Sequence, residues 1–275
     1  FVTARIKLSQ QKTWDSRDSW DSMGYNLCRV AAMGWSLLRK EVTMCHSDQI
    51  HYLPFDYVVS SWSMENDFFR FLREKCHVST AELERLLCRY LIGSTRDGGI
   101  IYWQLDFNGN VRTGKVMYYD ANSGHRIKTG MAVDWIHSRL KRKGLLPEDF
   151  AITQCLFGEH LLHSDDIGKA VALVESEKTA LLGSIVFPDY IWVAVGGKAN
   201  FKPERMVALC NRTVIIFPDV DAYDEWKEKS RRFFLPKRVI VCDLLERQSS
   251  ATERGAKIDI GDWLIASLIE RANFS

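Results

Sequence analysis

Apolar and polar positions change rhythm three times along this chain. Residues 1–50 show no clear period and are rich in Ser, Asp and Trp, so they read as an N-terminal extension without a legible fold. From Met64 to about Ile92 the apolar positions recur at helical spacing. "MENDFFRFLREKCH" and "STAELERLLCRYLI" predict a pair of helices, the second starting from an N-cap at Ser79 or Thr80 with Glu82 and Glu84 following. The pattern then shortens. "IIYWQLDF", "NGN", "VRTGKVMYYD", "NSGH" and "RIK" alternate apolar runs with turn residues, which predicts a β-meander over residues 98–130.

A helix is expected over "AVDWIHSRLKRKG" (132–144), closed by Gly144 and basic toward its C-terminus, where the helix dipole favours cations. Beyond it short apolar strands and amphipathic helices alternate. "KAVALVE", "YIWVAVGG", "TVIIFPDVD" and "KRVIVCDLL" read as strands. "SEKTALLGSIVF", "KPERMVALC", "AYDEWKEKSRRFF" and "GDWLIASLIE" read as helices. Strands apolar at every position and separated by helices mean a mostly parallel sheet covered on both faces. The expected fold is therefore α/β: an α+β subdomain with a basic antiparallel sheet over 54–150, a parallel-sheet domain sandwiched by helices over 151–275, and the extension over 1–53. No internal repeat and no linker rich in Pro, Gly or Ser divides the chain.

Composition narrows the class without naming a function. Apolar residues make up 46% and charged residues 26%, as in globular rather than disordered chains. No apolar run approaches the roughly 20 residues of a membrane span, and with no secretory leader pattern the expected location is the cytoplasm. The net charge of +2 neither demands nor excludes a nucleic-acid partner. Local patches count for more: "SRLKRKG" (138–144) and "KEKSRRFFLPKR" (227–238) are solvated helix faces or, next to a metal site, phosphate contacts. The seven cysteines contain no CxxC, so the expectation is reduced, mostly buried thiols and no zinc site.

Candidate chemistry gathers where the expected parallel strands end, since open α/β sheets bind ligands beyond the carboxyl ends of their strands. Glu175 follows "VALV". Gly196, Gly197 and Lys198 follow "WVAV". Asp219 and Asp221 follow "VIIFP", and Asp259 and Asp262 lie in "KIDIGD". Carboxylates brought to one edge repel one another unless a cation sits among them. A hard divalent ion, Mg²⁺ or Mn²⁺, takes such oxygen ligands.

"VALVESEKTAL", "VIIFPDVDAY" and "KIDIGDWL", in that order, resemble the three signatures of the toprim domain shared by primases, topoisomerases and some nucleases. The segment "YLIGSTRDGGIIYWQLDFNGNVRTGKVMYYD" resembles the basic sheet that precedes toprim in primases. From about Pro54 onward, about four fifths of the chain, the sequence resembles primase-like toprim proteins of Bacteroidetes phages and mobile elements. The resemblance implies that Glu175, Asp219 and Asp221 are catalytic, and that the same three with Asp262 and Asp259 hold the metal. It further implies that Arg112, Lys115, Arg126, Lys128, Lys178, Lys198 and Lys202 contact nucleic acid or nucleotide. The chain departs from primases in Ser176 where glycine is frequent, in Ala222-Tyr223 where a small residue and glycine follow the aspartates, and in lacking a zinc ribbon.

Three functions compete at this level. The first is a primase-like nucleotidyltransferase that uses Mg²⁺, single-stranded DNA and nucleotides, with a separately encoded replicative helicase as partner. The second is a metal-dependent nuclease on the same fold. The third is a non-catalytic nucleic-acid-binding accessory protein of replication.

Overall fold

Short helices open the described part of the chain, and the second and third carry their own start signals. α1 (Asp56–Ser61) precedes α2 (Asp67–Glu74), whose N-cap Asn66 accepts a hydrogen bond from Phe69 N at 2.9 Å. α3 (Thr80–Tyr90) starts from a full capping box in which Ser79 and Glu82 satisfy each other's backbone N–H groups. The computed structural model describes residues 51–127, 133–163, 168–220, 222–233, 235–248 and 259–273, all within the unit Cys45–Ser275. The expectation for residues 1–50 lies outside the described residues.

An antiparallel sheet follows, in the order β1 (Gly93–Ser94), β2 (Ile100–Leu105), β3 (Val111–Met117) and β4 (Asp134–Trp135). Asp106 shapes the β2–β3 turn: it is 4% exposed and accepts from Asn108 N, Asn110 N and Arg112 Nε at 2.9–3.0 Å. The register shifts beside this turn, where Leu105 faces Val111 but Gln104 faces Thr113, which is a β-bulge. Residues 134–135, expected to be helical, instead extend the sheet by pairing with Val116 and Lys115, and α4 (Ile136–Arg142) begins only after them.

The remainder alternates strand and helix. β5 (Val171–Val174), α5 (Glu177–Val186), β6 (Ile191–Ala194), β7 (Thr213–Ile216), α6 (Tyr223–Ser230), β8 (Arg238–Val241), α7 (Leu244–Gln248) and α8 (Ile260–Asn273) build a parallel sheet ordered β6-β5-β7-β8. Its pleat divides the core. Ala172, Val174, Trp192 and Ala194 face one side with α5 and α8, while Val171, Leu173, Ile191 and Val193 face Phe201, Met206, Leu209 and Trp226 on the other. The first of these cores also takes in α2, α3 and one face of β2, and Tyr90 Oη donates to the Trp192 carbonyl at 3.1 Å. The opposite face of β2 packs Ile101, Trp103 and Leu105 with Val58 and Leu140.

Residues 202–210 do not form the expected α-helix. They make two 3₁₀ turns, Pro203–Arg205 and Val207–Leu209. Met206 and Leu209 both face the core. The thiols also depart from expectation: Cys76 and Cys155 are buried, Cys242 is half-buried, and Cys88 and Cys210 are exposed. Among the described residues no helix is long and apolar enough to cross a membrane.

Gly183 explains how α5 approaches the sheet so closely. A Cβ there would stand 2.4 Å from the Trp192 ring, far inside contact distance. Helix propensity alone favours alanine over glycine by about 1 kcal/mol, but the overlap with a buried ring costs about 1–3 kcal/mol. Gly183→Ala is therefore expected to destabilise the fold in urea unfolding, the opposite sign to propensity. A stabilised variant would show that α5 has room to move.

Candidate functional site

The order of the parallel strands locates the site. β5 connects to β6 on one side and β7 connects to β8 on the other, so the crevice between the ends of β5 and β7 is the topological switch point. Leu173 and Ile216 are register partners, and Phe217 N donates to the Leu173 carbonyl at 2.9 Å. Glu175, two residues past Leu173, and Asp219, three past Ile216, thus leave adjacent strands at this crevice. Both side chains are half-buried. Backbone bonds hold the two loops: Gly196 N donates to the Glu175 carbonyl at 2.9 Å, and Ala222 N donates to the Asp219 carbonyl at 2.9 Å.

Beside this crevice the two sheets are joined by one buried cation. Lys115 Nζ reaches from β3 to the first turn of α5, donating to Glu177 Oε1 at 3.0 Å, Glu177 Oε2 at 2.9 Å and the Gly196 carbonyl at 3.0 Å. The side chains are 9% and 3% exposed, so Lys115 does not line an open groove as the resemblance implies. Its charge is consumed inside the protein, where a carboxylate and a carbonyl replace its water. Gly196 supplies that carbonyl with φ +78°, a conformation that suits glycine, and a Cβ there would stand 3.0 Å from Glu177 Oε1.

The remaining candidates disperse. Arg112 is tied to Asp106 at 2.9 Å and lies over the Tyr52 ring, 4.9 Å from its centroid. Arg126 is exposed, on an isolated bridge to Tyr119. Lys198 pairs with Glu225 at 3.1 Å and Lys202 is exposed, both in the segment that leaves the β6 end. Asp221 and Lys128 lie outside the described residues. The basic patches are partly neutralised by carboxylates just before them in the chain, Arg139 and Arg142 by Asp134 and Lys229 by Glu225.

Asp259 and Asp262 have a local task. Asp262 N donates to Asp259 Oδ1 at 2.9 Å and Asp259 N donates to Asp262 Oδ2 at 3.2 Å, a reciprocal cap at the start of α8. Lys178 stands 3.8 Å from Asp262, and Gly261 lets α8 meet α5, because a Cβ there would fall 2.9 Å from Thr179 Oγ1. Asp259→Ala is expected to cost about 1 kcal/mol of stability, the usual worth of such a cap. Chemical denaturation checks this, and an unchanged midpoint would assign Asp259 another role.

The residue pattern singles out Lys115 but not its partner: Glu177 stands one residue beyond Ser176 from Glu175, and nothing local marks it as buried against a cation. Glu159 accepts from Phe107 N and Leu156 N, both at 3.0 Å, and burial raises its pKa despite those bonds. Gln104, 1% exposed on β2, holds no hydrogen bond at either side-chain atom.

Among the described residues, no group of three or more His, Cys, Asp or Glu side chains is placed to hold a metal ion. The switch-point crevice does offer two carboxylates on adjacent strand ends. Mg²⁺ is commonly held by one or two carboxylates with water and substrate phosphate completing its shell, so Glu175 and Asp219 fit that kind of ion by donor type and number.

Two packed sheets, one antiparallel and one parallel, with acidic residues at the switch point of the second, define the class. The chain belongs to the family described as a domain of unknown function (DUF6371), whose model matches residues 66–220, more than half of its length. In solved structures it is similar to the primase fragment of the bacteriophage T7 primase-helicase protein, at 15% identity over 79% of this chain and 82% of that one, with a TM-score of 0.42. It is also similar to the RNA polymerase domain of the Mycobacterium tuberculosis primase DnaG, at 12% identity over 78% and 81%, with a TM-score of 0.46. No curated protein matches the chain significantly.

Proposed function

We propose that this protein is a Mg²⁺-dependent, primase-like nucleotidyltransferase that acts on single-stranded DNA. The observation that carries the proposal is the placement of Glu175 and Asp219 on neighbouring strand ends at the switch point, where an open α/β sheet binds its ligand. The order of the three acidic motifs in the sequence supports it. Glu175, Asp219 and Asp221 are the residues to hold the ion, while Asp259 and Asp262 cap α8. A bound divalent ion supplies neutralisation of phosphate charge in phosphoryl transfer. Lys202, exposed in the segment that leaves the β6 end, is suited to backbone phosphates, and Lys198 could reach them by exchanging its pairing with Glu225. Lys178 guards the α8 cap, and Arg126 extends the cationic surface of the antiparallel sheet.

Positioning is the protein's main contribution in this reading. Lys115 clamps the first turn of α5 to the Gly196 turn, which holds the β5 and β6 loops together on one side of the crevice. In this reading Glu175, half-buried and tied at its carbonyl, takes a proton from an attacking hydroxyl. A helicase encoded separately is the partner such an activity implies.

Incubation of the full chain with single-stranded DNA, nucleoside triphosphates and Mg²⁺ tests the proposal. Short labelled oligonucleotides are expected, and they should vanish on chelation. Degradation of the strand without nucleotides would establish a nuclease instead. DNA binding without either product would leave an accessory protein.

A further inference from the structure

Away from Glu175 and Asp219, an open pocket of about 470 Å³ is lined by Trp135 on β4, His137 on α4, Ile152, Thr153, Gln154, Glu204 and Arg205. Its size is within the usual range for small-molecule sites. Trp135 is the register partner of Lys115, whose amino group bonds the Gly196 carbonyl, so the pocket borders the junction beside the switch point. Arg205 enters from the second 3₁₀ turn after β6.

The guanidinium of Arg205 is held on one side only. Nη2 donates to Gln154 Oε1 at 3.0 Å, while Nη1 is shielded from solvent and has no hydrogen-bond partner. Burial lowers its pKa, against the pull of Cys155 and Glu159, although an arginine stays charged throughout the useful pH range. A half-desolvated, half-bonded cation is unfavourable as it stands and gains from an anion brought to it. Beside it stand flat groups. Trp135 and His137 have ring centroids 5.9 Å apart, tilted by 38°. His137 Nδ1 is engaged with Thr113 Oγ1 at 2.7 Å, and burial and Lys141 keep its pKa below the ordinary histidine value, so it adds no charge at neutral pH.

We infer that this pocket binds a nucleoside 5′-phosphate, with the base against Trp135 and a phosphate on Arg205. Gln154 orients the guanidinium so that a small rotation turns its unpaired N–H to a phosphate oxygen, forming a charge-assisted bond. Ile152 and the indole supply the apolar wall for the base, which needs a face to stack on more than a specific hydrogen bond. The choice of a nucleotide among flat anions rests on the proposed nucleic-acid function of the neighbouring crevice; the anion and ring requirements rest on the pocket alone.

Calorimetric titration of the full chain with ATP, inorganic triphosphate and 5′-phosphorylated or unphosphorylated single-stranded DNA, all in EDTA, tests this. Arg205→Met should weaken ATP binding about tenfold or more, and Arg205→Lys should restore part of it. Trp135→Leu should weaken ATP about fivefold or more while leaving triphosphate binding as it was. Dependence on the strand's 5′-phosphate would assign the pocket to a strand end, and binding of ATP alone would assign it to a free nucleotide; either supports the site. Thermal melting accompanies each variant, and Arg205→Lys serves should the methionine variant fail to fold. Wild-type ATP affinity in folded Arg205 variants, or equal losses of ATP and triphosphate in Trp135→Leu, would overturn the inference. Because no metal is present, nucleotide binding lost with Arg205 but no oligonucleotide synthesis would refute the transferase and keep the pocket, and the reverse result would do the opposite.

Discussion

Replacing Lys115 with methionine is expected to cost about 3–5 kcal/mol of stability, the range for removing one member of a buried ion pair. The amino group has three acceptors within 3.0 Å, two on Glu177 and one on Gly196. Without it, a carboxylate only 3% exposed loses its counter-charge and has no water to replace it. The position of Glu177 in the first turn of α5 recovers only a little, because a helix N-terminus offers an anion about 0.3–1 kcal/mol at the surface. The double variant Lys115→Met/Glu177→Leu should regain most of the loss, since apolar replacement of both members of a buried pair is often neutral. Urea midpoints of the three proteins decide the matter. A single variant within about 1 kcal/mol of wild type would mean that the pair contributes nothing to joining the sheets.

The second large effect concerns chemistry rather than stability. On the proposed function, Asp219→Asn is expected to lower oligonucleotide synthesis by about 10³-fold, which corresponds to about 4 kcal/mol of transition-state stabilisation. The substitution keeps the side-chain shape and the backbone bond from Ala222 N to the Asp219 carbonyl. It removes a formal negative charge at the crevice. Melting should therefore stay near wild type while product disappears. Glu175→Gln should behave similarly, because both residues leave strands that are paired in register. Synthesis at the wild-type rate in a folded Asp219→Asn variant would refute the assigned role.

Local signals made much of the architecture legible. The runs "VALV" and "IWVA" are apolar at every position, and all eight residues are buried, which is what a parallel strand covered on both faces requires. Ser79 with Glu82 and Asp106 with "NGN" carry their partners within four residues, so their hydrogen bonds could be expected from spacing. The same locality explains an error of type. Residues 202–210 have helical composition but form 3₁₀ turns whose Met206 and Leu209 pack on core residues from distant strands, contacts that no local pattern records.

The sequence by itself determined the order of strands and helices, the pleat that divides the core, and the acidic residues that follow the strands. These depend on neighbours a few positions away, where backbone geometry leaves few choices. Only the tertiary structure decided that Lys115 spends its charge on Glu177, 62 residues distant, and that Trp135 and Arg205 share a pocket. A lysine in a strand is written identically whether it meets solvent or a buried carboxylate. The difference lies in desolvation and in the partner's position, and both exist only once the two sheets have packed.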